Sequence, residues 1–142
     1  MPDSGKTFID SNVLIYANDK DVPAKQAVAI QALDQLWSND TGVLSVQVLQ
    51  EFYSVVTRKL KTQVSRESAQ YVVQLYSHWC SETTANEVQA AFSIERTAQI
   101  SFWDAFIVAS ALKCGATRIL SEDMNHGQII AGIEIANPFR DL

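Results

Sequence analysis

The sequence predicts an α/β fold in which helices flank a central, twisted and mostly parallel sheet of about five strands. Short apolar runs alternate with longer segments of helical periodicity, a pattern typical of parallel strands joined by crossover helices. A chain of 142 residues with 47% hydrophobic and 19% charged residues can bury one continuous core. We therefore expect a single domain over residues 1–142.

The first half of the chain is predicted to hold two strands and two helices. Residues 7–9 form an apolar run that predicts the first strand, and apolar residues at helical spacing after a proline predict a helix over 24–37. A turn-forming Asn-Asp-Thr-Gly run then precedes a short buried strand at 43–44. Ser45 is a good N-cap for a second helix over 46–59.

The second half is predicted to hold three further helices and three short extended segments. Ser65 is a suitable N-cap for the first of these helices, and Gly115 stands where a glycine usually ends the last one. The predicted helices cover residues 65–79, 87–99 and 101–113. A brief extended segment is predicted to close at residues 83–84, and the last two strands are predicted at 118–120 and 134–136.

Four acidic residues stand beside apolar segments, where an isolated charge is costly. They are Asp10, Glu51, Asp104 and Asp123. Asp10 and Asp123 follow the first and fourth predicted strands, and the carboxyl ends of parallel strands share one edge of a sheet. Glu51 and Asp104 lie early on helices, and a helix that follows a strand starts at this same edge. We therefore expect the four carboxylates to converge on one cleft.

Each acid also has a local explanation. Asp10 can cap the turn in Asp-Ser-Asn, and Asp104 can complete a capping box with Ser101. Glu51 can be a solvent-facing helix residue and Asp123 a turn residue. The residue pattern by itself leaves these alternatives open.

Four segments in a fixed order carry a resemblance to a known family: FIDSNVLIYA, LQEF, ISFWDAFIVASAL and ILSEDMNHG. Through them the chain resembles the PIN-domain ribonucleases, and specifically the VapC-type toxins of toxin-antitoxin pairs. The resemblance covers nearly the whole chain. It implies a PIN-like three-layer α/β/α sandwich and metal-dependent endonucleolytic cleavage of RNA.

The same resemblance implies roles for individual residues. It places the four acids, Asp10, Glu51, Asp104 and Asp123, as catalytic ligands of one or two Mg²⁺ or Mn²⁺ ions. Asn12 and Ser121 fall where such proteins often have a small polar residue near the metal. Glu122 competes with Asp123 as the fourth acid, and we favour Asp123. His126 lies close by in sequence, and a surface or turn position is the simpler interpretation.

Electrostatics explains why such a site would bind a cation. Two unit negative charges about 4 Å apart repel by roughly 4 kcal/mol at an effective dielectric constant of about 20. Four carboxylates in one cleft therefore need either protons or a hard divalent cation with oxygen ligands. Such an ion can activate water for in-line attack on a phosphodiester, and by family resemblance the products carry a 5′-phosphate and a 3′-hydroxyl.

The net charge of −5 at first argues against a nucleic-acid partner, although carboxylates neutralised by metal would no longer repel phosphate. Basic side chains are candidates for contacts with the RNA backbone, and the cluster near residue 60 can equally be a solvated helix end. These candidates are Arg58, Lys59, Lys61 and Arg96.

The resemblance also implies partners: an RNA substrate, with transfer RNA suggested by family analogy, a VapB-type antitoxin protein and a second copy of the chain in a homodimer. A non-catalytic PIN-like module that binds RNA or protein is the alternative function. No stretch reaches the roughly 18 apolar residues of a membrane span, and the two cysteines lack metal-ligand spacing. We therefore expect a cytoplasmic protein with reduced thiols.

Overall fold

The computed structural model describes residues 5–142; the first four residues, part of the polar segment that opens the chain, lie outside it. The helices in this range are α1 (Ser11–Ala17), α2 (Pro23–Asn39), α3 (Val46–Arg58), α4 (Arg66–Tyr76), α5 (Ala85–Ala98) and α6 (Phe102–Lys113), and a 3₁₀ helix covers Ser77–Trp79. The strands are β1 (Lys6–Ile9), β2 (Gly42–Ser45), β3 (Cys80–Ser81), β4 (Ala116–Leu120), β5 (Ile129–Ile130) and β6 (Ile133–Ala136).

Across residues 5–142 the strands form one sheet in the order β3-β2-β1-β4-β6-β5. Strand β1 lies at the centre and pairs in parallel with both β2 and β4, and β6 continues the parallel part beyond β4. Only β5, among the strands described, runs antiparallel to its neighbour. The chain thus adds β2 and β3 on one side of β1 and then returns to add β4, β6 and β5 on the other side. Strands β1 and β4 are neighbours in the sheet although they are far apart in the sequence.

The helices cover both faces of the sheet. The chain moves from β1 to β2 and β3 in one direction and then crosses back to β4, so right-handed crossovers place the two groups of helices on opposite faces. Helices α1 to α4 pack on one another, and α5 packs on α6 as an antiparallel pair. This is the three-layer α/β/α arrangement.

The carboxyl edge of the parallel strands is the edge from which the candidate residues emerge. Ile9 pairs with Leu120 at the ends of β1 and β4, so the residues that follow them are neighbours. Helix α3 starts directly after β2 at this edge, and α6 leads into the opposite end of β4, which brings its N-terminus back to the same edge. Strand pairing thus fixes where each acid leaves the core.

The hydrophobic core lies between the sheet and both helical layers. Helix α6 is apolar around most of its circumference, and every residue from Ala105 to Ala111 is buried, as expected for a helix enclosed between a sheet and another helix. Its partner α5 begins with a capping box between Thr84 and Glu87. None of the helices in the described part of the chain combines the length and hydropathy needed to cross a bilayer.

The predicted fold class is confirmed, and most predicted elements lie within two residues of their observed bounds. Two predicted boundaries were wrong. The extended segment predicted to close at residues 83–84 is a strand that ends at Ser81, because Thr84 caps α5. The predicted helix over 65–79 ends at Tyr76 and continues as a 3₁₀ turn. Within residues 5–142 the sheet has six strands where about five were expected; the two-residue β5 was not predicted, and neither was the short helix α1.

Close packing at the start of β2 generates a stability prediction. A Cβ on Gly42 would lie 2.7 Å from two ring carbons of Trp79. That ring is 5% exposed and its centroid is 4.9 Å from the Trp37 ring and 5.0 Å from the Tyr76 ring, so it has little room to retreat. We expect Gly42→Ala to lower the free energy of unfolding by about 1–3 kcal/mol in urea denaturation.

The matched control is the same substitution in a Trp79→Leu background, where the smaller side chain removes the clash. There Gly42→Ala should cost much less. An equal cost in both backgrounds would show that the contact with Trp79 is not the cause.

Candidate active site

Asp10 is the most enclosed of the four acids. It follows β1, caps α1, and is only 7% exposed. Its Oδ1 accepts a hydrogen bond from the Ser11 backbone N–H at 2.8 Å, and its Oδ2 accepts one from Ser121 Oγ at 2.8 Å. Burial raises the pKa of Asp10 to about 6, the two hydrogen bonds oppose that rise, and the negative charges of Asp123 and Glu51 add to it. Its capping role is therefore real, but Asp10 also carries a costly buried charge.

Asn12 and Ser121 connect Asp10 to Asp123. Asn12 Nδ2 lies 3.4 Å from Asp10 Oδ2, 3.4 Å from Ser121 Oγ and 3.3 Å from Asp123 Oδ2. Ser121 Oγ, which donates to Asp10, also accepts from the Asp123 backbone N–H at 3.1 Å. The Asn12 amide has only two N–H groups and therefore cannot donate a hydrogen bond to all three of these oxygens at once.

Glu51 joins the cluster from α3. Its carboxylate accepts from Ser11 Oγ at 3.3 Å and from Gln47 Nε2 at 3.2 Å. The side chain is exposed, which agrees with the alternative of a solvent-facing helix residue. It nevertheless faces the cleft, since Ser11 is the residue next to Asp10.

Asp104 lies in the first turn of α6, where Ser101 Oγ caps the helix by accepting from the Asp104 N–H at 3.1 Å. Partial burial raises the pKa of Asp104, a hydrogen bond with Ser101 lowers it, and the charge of Asp123 raises it further. Asp123 therefore interacts with both Asp10 and Asp104. Asp10 is thus linked by charge interactions to Glu51 and Asp123, and Asp123 to Asp104, so the four acids stand together along one edge of the sheet.

Glu122 and His126 have other contacts. Glu122 forms an ion pair with Lys25 and accepts from the Tyr16 hydroxyl at 2.7 Å. His126 is exposed, and its Nδ1 accepts from the Asn137 backbone N–H at 3.0 Å. Both side chains anchor the loop after β4 to neighbouring segments, and Asp123 is the acid of this loop that faces the cleft.

Comparison with known proteins agrees with this fold. The PIN domain family model matches residues 7–129. The chain belongs to the PIN domain family. No curated protein matches it at a significant level.

Solved structures with the same fold come from toxin-antitoxin systems. A toxin-antitoxin complex from Klebsiella pneumoniae contains a chain that is 15% identical with a TM-score of 0.66, covering 94% of this chain and 98% of that one. VapBC2 from Rickettsia felis, bound to a DNA fragment from its promoter, gives 17% identity, a TM-score of 0.65 and coverage of 92% and 97%. VapC20 from Mycobacterium tuberculosis, a sarcin-ricin loop cleaving toxin, gives 18%, 0.56 and coverage of 80% and 87%.

The four basic residues that are candidates for RNA contacts lie in two places. Arg58, Lys59 and Lys61 are exposed at the C-terminal end of α3, whereas Glu51 lies midway along this helix. Seven residues of helix separate Glu51 from Arg58, or about 10 Å along the axis. Arg96 stands in the last turn of α5, at the end of the helical pair where α6 and Asp104 begin. Arg96 and Asp104 therefore lie at the same end of the α5–α6 pair.

Two contributors to the site went unnoticed in the sequence. Ser11 orients Glu51 through its hydroxyl and Asp10 through its backbone N–H. Gln47 contacts Glu51 from one turn earlier on α3, a spacing of four residues that helical geometry makes adjacent. That spacing was the available signal for Gln47, and for Ser11 it was the position directly after Asp10.

The chemistry of the cleft fits a divalent cation. As the side chains stand, no three His, Cys, Asp or Glu residues within 5–142 are grouped closely enough to hold a metal ion. However, the ion pairs found in this range involve Glu122 and Glu87, so no Lys or Arg neutralises any of the four acids there. The four carboxylates therefore offer oxygen atoms that no cationic side chain neutralises. Oxygen atoms of this kind are the ligands that Mg²⁺ and Mn²⁺ prefer.

The raised pKa of Asp10 predicts a stability change in the metal-free protein. Folding favours the protonated carboxyl, so this contribution to stability is full below about pH 4 and is lost as the pH rises through about 6. The rise from 3.8 to about 6 corresponds to about 3 kcal/mol. We expect Asp10→Asn to raise the free energy of unfolding in EDTA at neutral pH by an amount of this order, with little gain at acid pH.

The measurement is urea denaturation of both proteins at about pH 3.5 and about pH 7.5. Asp34→Asn, which removes an exposed acid from α2, serves as the control and should change stability little at either pH. If Asp10→Asn differed from the native sequence by the same amount at both pH values, burial of the charge would not be the cause.

Proposed function

We propose that this PIN domain is a metal-dependent endoribonuclease, the toxin of a VapBC-type pair, which cleaves RNA in the cytoplasm and thereby inhibits translation. The observation that carries the proposal is the convergence of Asp10, Glu51, Asp104 and Asp123 at one sheet edge, with no cationic side chain of residues 5–142 paired to them. Acids held together at such a cost need a function that uses their charge.

The four carboxylates would hold one or two Mg²⁺ or Mn²⁺ ions. When bound, the ion supplies charge neutralisation for the scissile phosphate and lowers the pKa of the attacking water. Water adds to phosphorus as the bond to the 3′-oxygen breaks, which leaves a 5′-phosphate and a 3′-hydroxyl. The cation charge also offsets the repulsion between the acids and the RNA backbone.

The chain's own residues fix the positions of the oxygens. Ser121 Oγ and the Ser11 N–H hold both oxygens of Asp10, and Ser11 Oγ and Gln47 hold those of Glu51. Asn12, whose Oδ1 accepts from the Glu122 N–H at 3.1 Å, has its amide group turned toward Asp10 and Asp123. Oriented oxygens lower the reorganisation that catalysis would otherwise require.

The RNA substrate is proposed from the family and from the neighbours. One structural neighbour is described as a sarcin-ricin loop cleaving toxin, and others as members of toxin-antitoxin complexes. For this chain we propose structured cellular RNA, with transfer RNA as the target suggested by family analogy. Arg58, Lys59, Lys61 and Arg96 remain candidates for backbone contacts.

We also propose a VapB-type antitoxin and a homodimer. The structural neighbours come from toxin-antitoxin complexes. A mainly apolar groove of about 570 Å³ lies between α3 and α4, lined in part by Val46, Leu49, Tyr53 and Val73. Exposed apolar side chains beside such a groove support a protein partner on this face.

Asp104→Asn tests the catalytic proposal. Removing one carboxylate weakens ion binding and should reduce RNA cleavage at least about a hundredfold, with the fold retained. The assay is cleavage of total cellular RNA by the purified protein with Mg²⁺ or Mn²⁺, followed by mapping of the cut ends. EDTA should have the same effect as the substitution.

Glu122→Gln is the matched control, because this acid lies beside Asp123 but pairs with Lys25. It should retain most of the activity that Asp123→Asn loses. Full cleavage in EDTA would exclude the metal mechanism, and RNA binding by the native protein without any cleavage would instead favour a non-catalytic module.

Expression in bacteria tests the toxin assignment. The native chain produced alone should arrest growth and reduce protein synthesis, whereas Asp104→Asn at the same expression level should not. Normal growth with an active nuclease would point to a housekeeping ribonuclease rather than a toxin.

A further inference from the structure

A cluster of aromatic side chains stands at the start of α6 and has no role in the acidic site described above. Trp103 is 62% exposed and Phe92, on the neighbouring α5, is 46% exposed. Phe102 lies between them, with ring centroids 5.3 Å from Trp103 and 5.7 Å from Phe92. Such large exposed rings are costly to leave in water unless they bind something.

The cluster is backed by a rigid support. Phe102 stacks on Phe106 at 6.1 Å with an angle of 21° between the ring planes, and Phe106 belongs to a buried cluster with Ala91, Ala105 and Ala109 between α5 and α6. The exposed rings therefore have a packed base beneath them. A flat ligand that stacked on Trp103 would lose little of its binding free energy to reordering of the protein.

The cluster adjoins the acidic cleft and a cation. Trp103 directly precedes Asp104 in the first turn of α6. Arg96 is four residues after Phe92 on α5, a spacing that puts both on one face of the helix. The aromatic rings could stack on the base of a nucleotide, the Arg96 guanidinium could contact a backbone phosphate, and the acids would act on the scissile bond.

We infer that Trp103, supported by Phe102 and Phe92, is a stacking platform for an unpaired base of the RNA next to the cleaved phosphodiester. The inference rests on the proposed function, since it supplies a subsite for that substrate. It gives the protein a preference for single-stranded or looped RNA, because only an unpaired base offers a free face. Trp103 is thus a substrate-positioning residue and takes no part in the chemistry.

A protein partner is the competing occupant of these rings. The groove between α3 and α4 offers a mainly apolar depression for a protein chain. The α5–α6 cluster instead ends in polar and charged residues, among them Arg96, Gln99, Ser101 and Asp104. Its mixed character and its position at the cleft favour the nucleic acid.

Steady-state cleavage of a single-stranded oligoribonucleotide tests the inference in the active enzyme. Trp103→Ala should raise KM about tenfold, in the range measured for loss of one stacked base, with a smaller change in kcat. Trp103→Phe keeps a ring and should restore most of the affinity. Trp37→Phe, an exposed tryptophan on α2, is the matched control and should change neither constant.

Binding without cleavage separates this inference from the proposed function. In an Asp10→Asn, Trp37→Phe background, quenching of tryptophan fluorescence by oligoadenylate reports mainly on Trp103, because Trp79 is only 5% exposed. Replacing one adenosine by an abasic ribose at successive positions should weaken binding at one position. The same series, followed by fluorescence anisotropy of an end-labelled oligoadenylate so that the readout does not depend on Trp103, should show no position effect in Trp103→Ala.

Each possible outcome either supports or overturns the stacking role of Trp103. Unchanged KM and unchanged oligoadenylate affinity in Trp103→Ala would overturn the inference while leaving the proposed nuclease intact. If light scattering showed that Trp103→Ala converts a dimer into a monomer, the cluster would be a protein interface and the inference would be wrong. If the native chain bound RNA through Trp103 but cut none, the platform would stand and the catalytic proposal would fail.

Discussion

Asp10 keeps a carboxylate almost out of water at the end of the central strand, and the polar groups around it are arranged to limit that cost. The arrangement exists only because β1 and β4 pair in parallel, which sets Ser121 beside Asp10 across 111 residues of sequence. Ser121 then holds the start of the loop that carries Asp123. Without the β1–β4 pairing, the acids of the two chain halves would not meet.

The β1–β4 pairing places an unfavourable buried charge at the ends of the strands, while the strands themselves form a stable apolar scaffold. The strands beneath the cleft are buried and apolar, with Phe8, Ile9 and Ile119 inaccessible to solvent. The buried charge of Asp10 stands at a strand end, where hydrogen bonds from Ser11 and Ser121 offset part of its cost. Functional sites commonly hold a charge in such an unfavourable environment. A partner of opposite charge removes the unfavourable interaction when it binds, and therefore binds more tightly.

The sequence indicated where the acids would meet more clearly than it indicated the contacts around them. Asp10 and Asp123 follow apolar runs whose parallel pairing dictates a shared edge, so their convergence could be argued from topology. The order of strands and the contacts of Glu122 could not, because they depend on which side chains meet after folding: Glu122 pairs with Lys25, which is 97 residues away. Helix α1 was missed because the turn preference of Asp-Ser-Asn masked its start, although Asp10 is its N-cap. Strand β5 has only two residues and no periodicity to detect.

Charge imposes the last constraint on how such a chain could handle RNA. With a net charge of −5, the protein has no general attraction for a polyanion, and three of its four candidate backbone cations lie at the C-terminal end of α3, about 10 Å or more along the helix from Glu51. Affinity drawn only from phosphate contacts would fall steeply with salt. In the proposed function, short-range interactions must therefore carry much of the recognition: ions held by the carboxylates at the scissile phosphate, and stacking at Trp103 beside it. The ion contacts and the stacking interaction form only when the substrate lies in the cleft. The negatively charged surface would therefore repel nucleic acid that cannot place an unpaired base at Trp103.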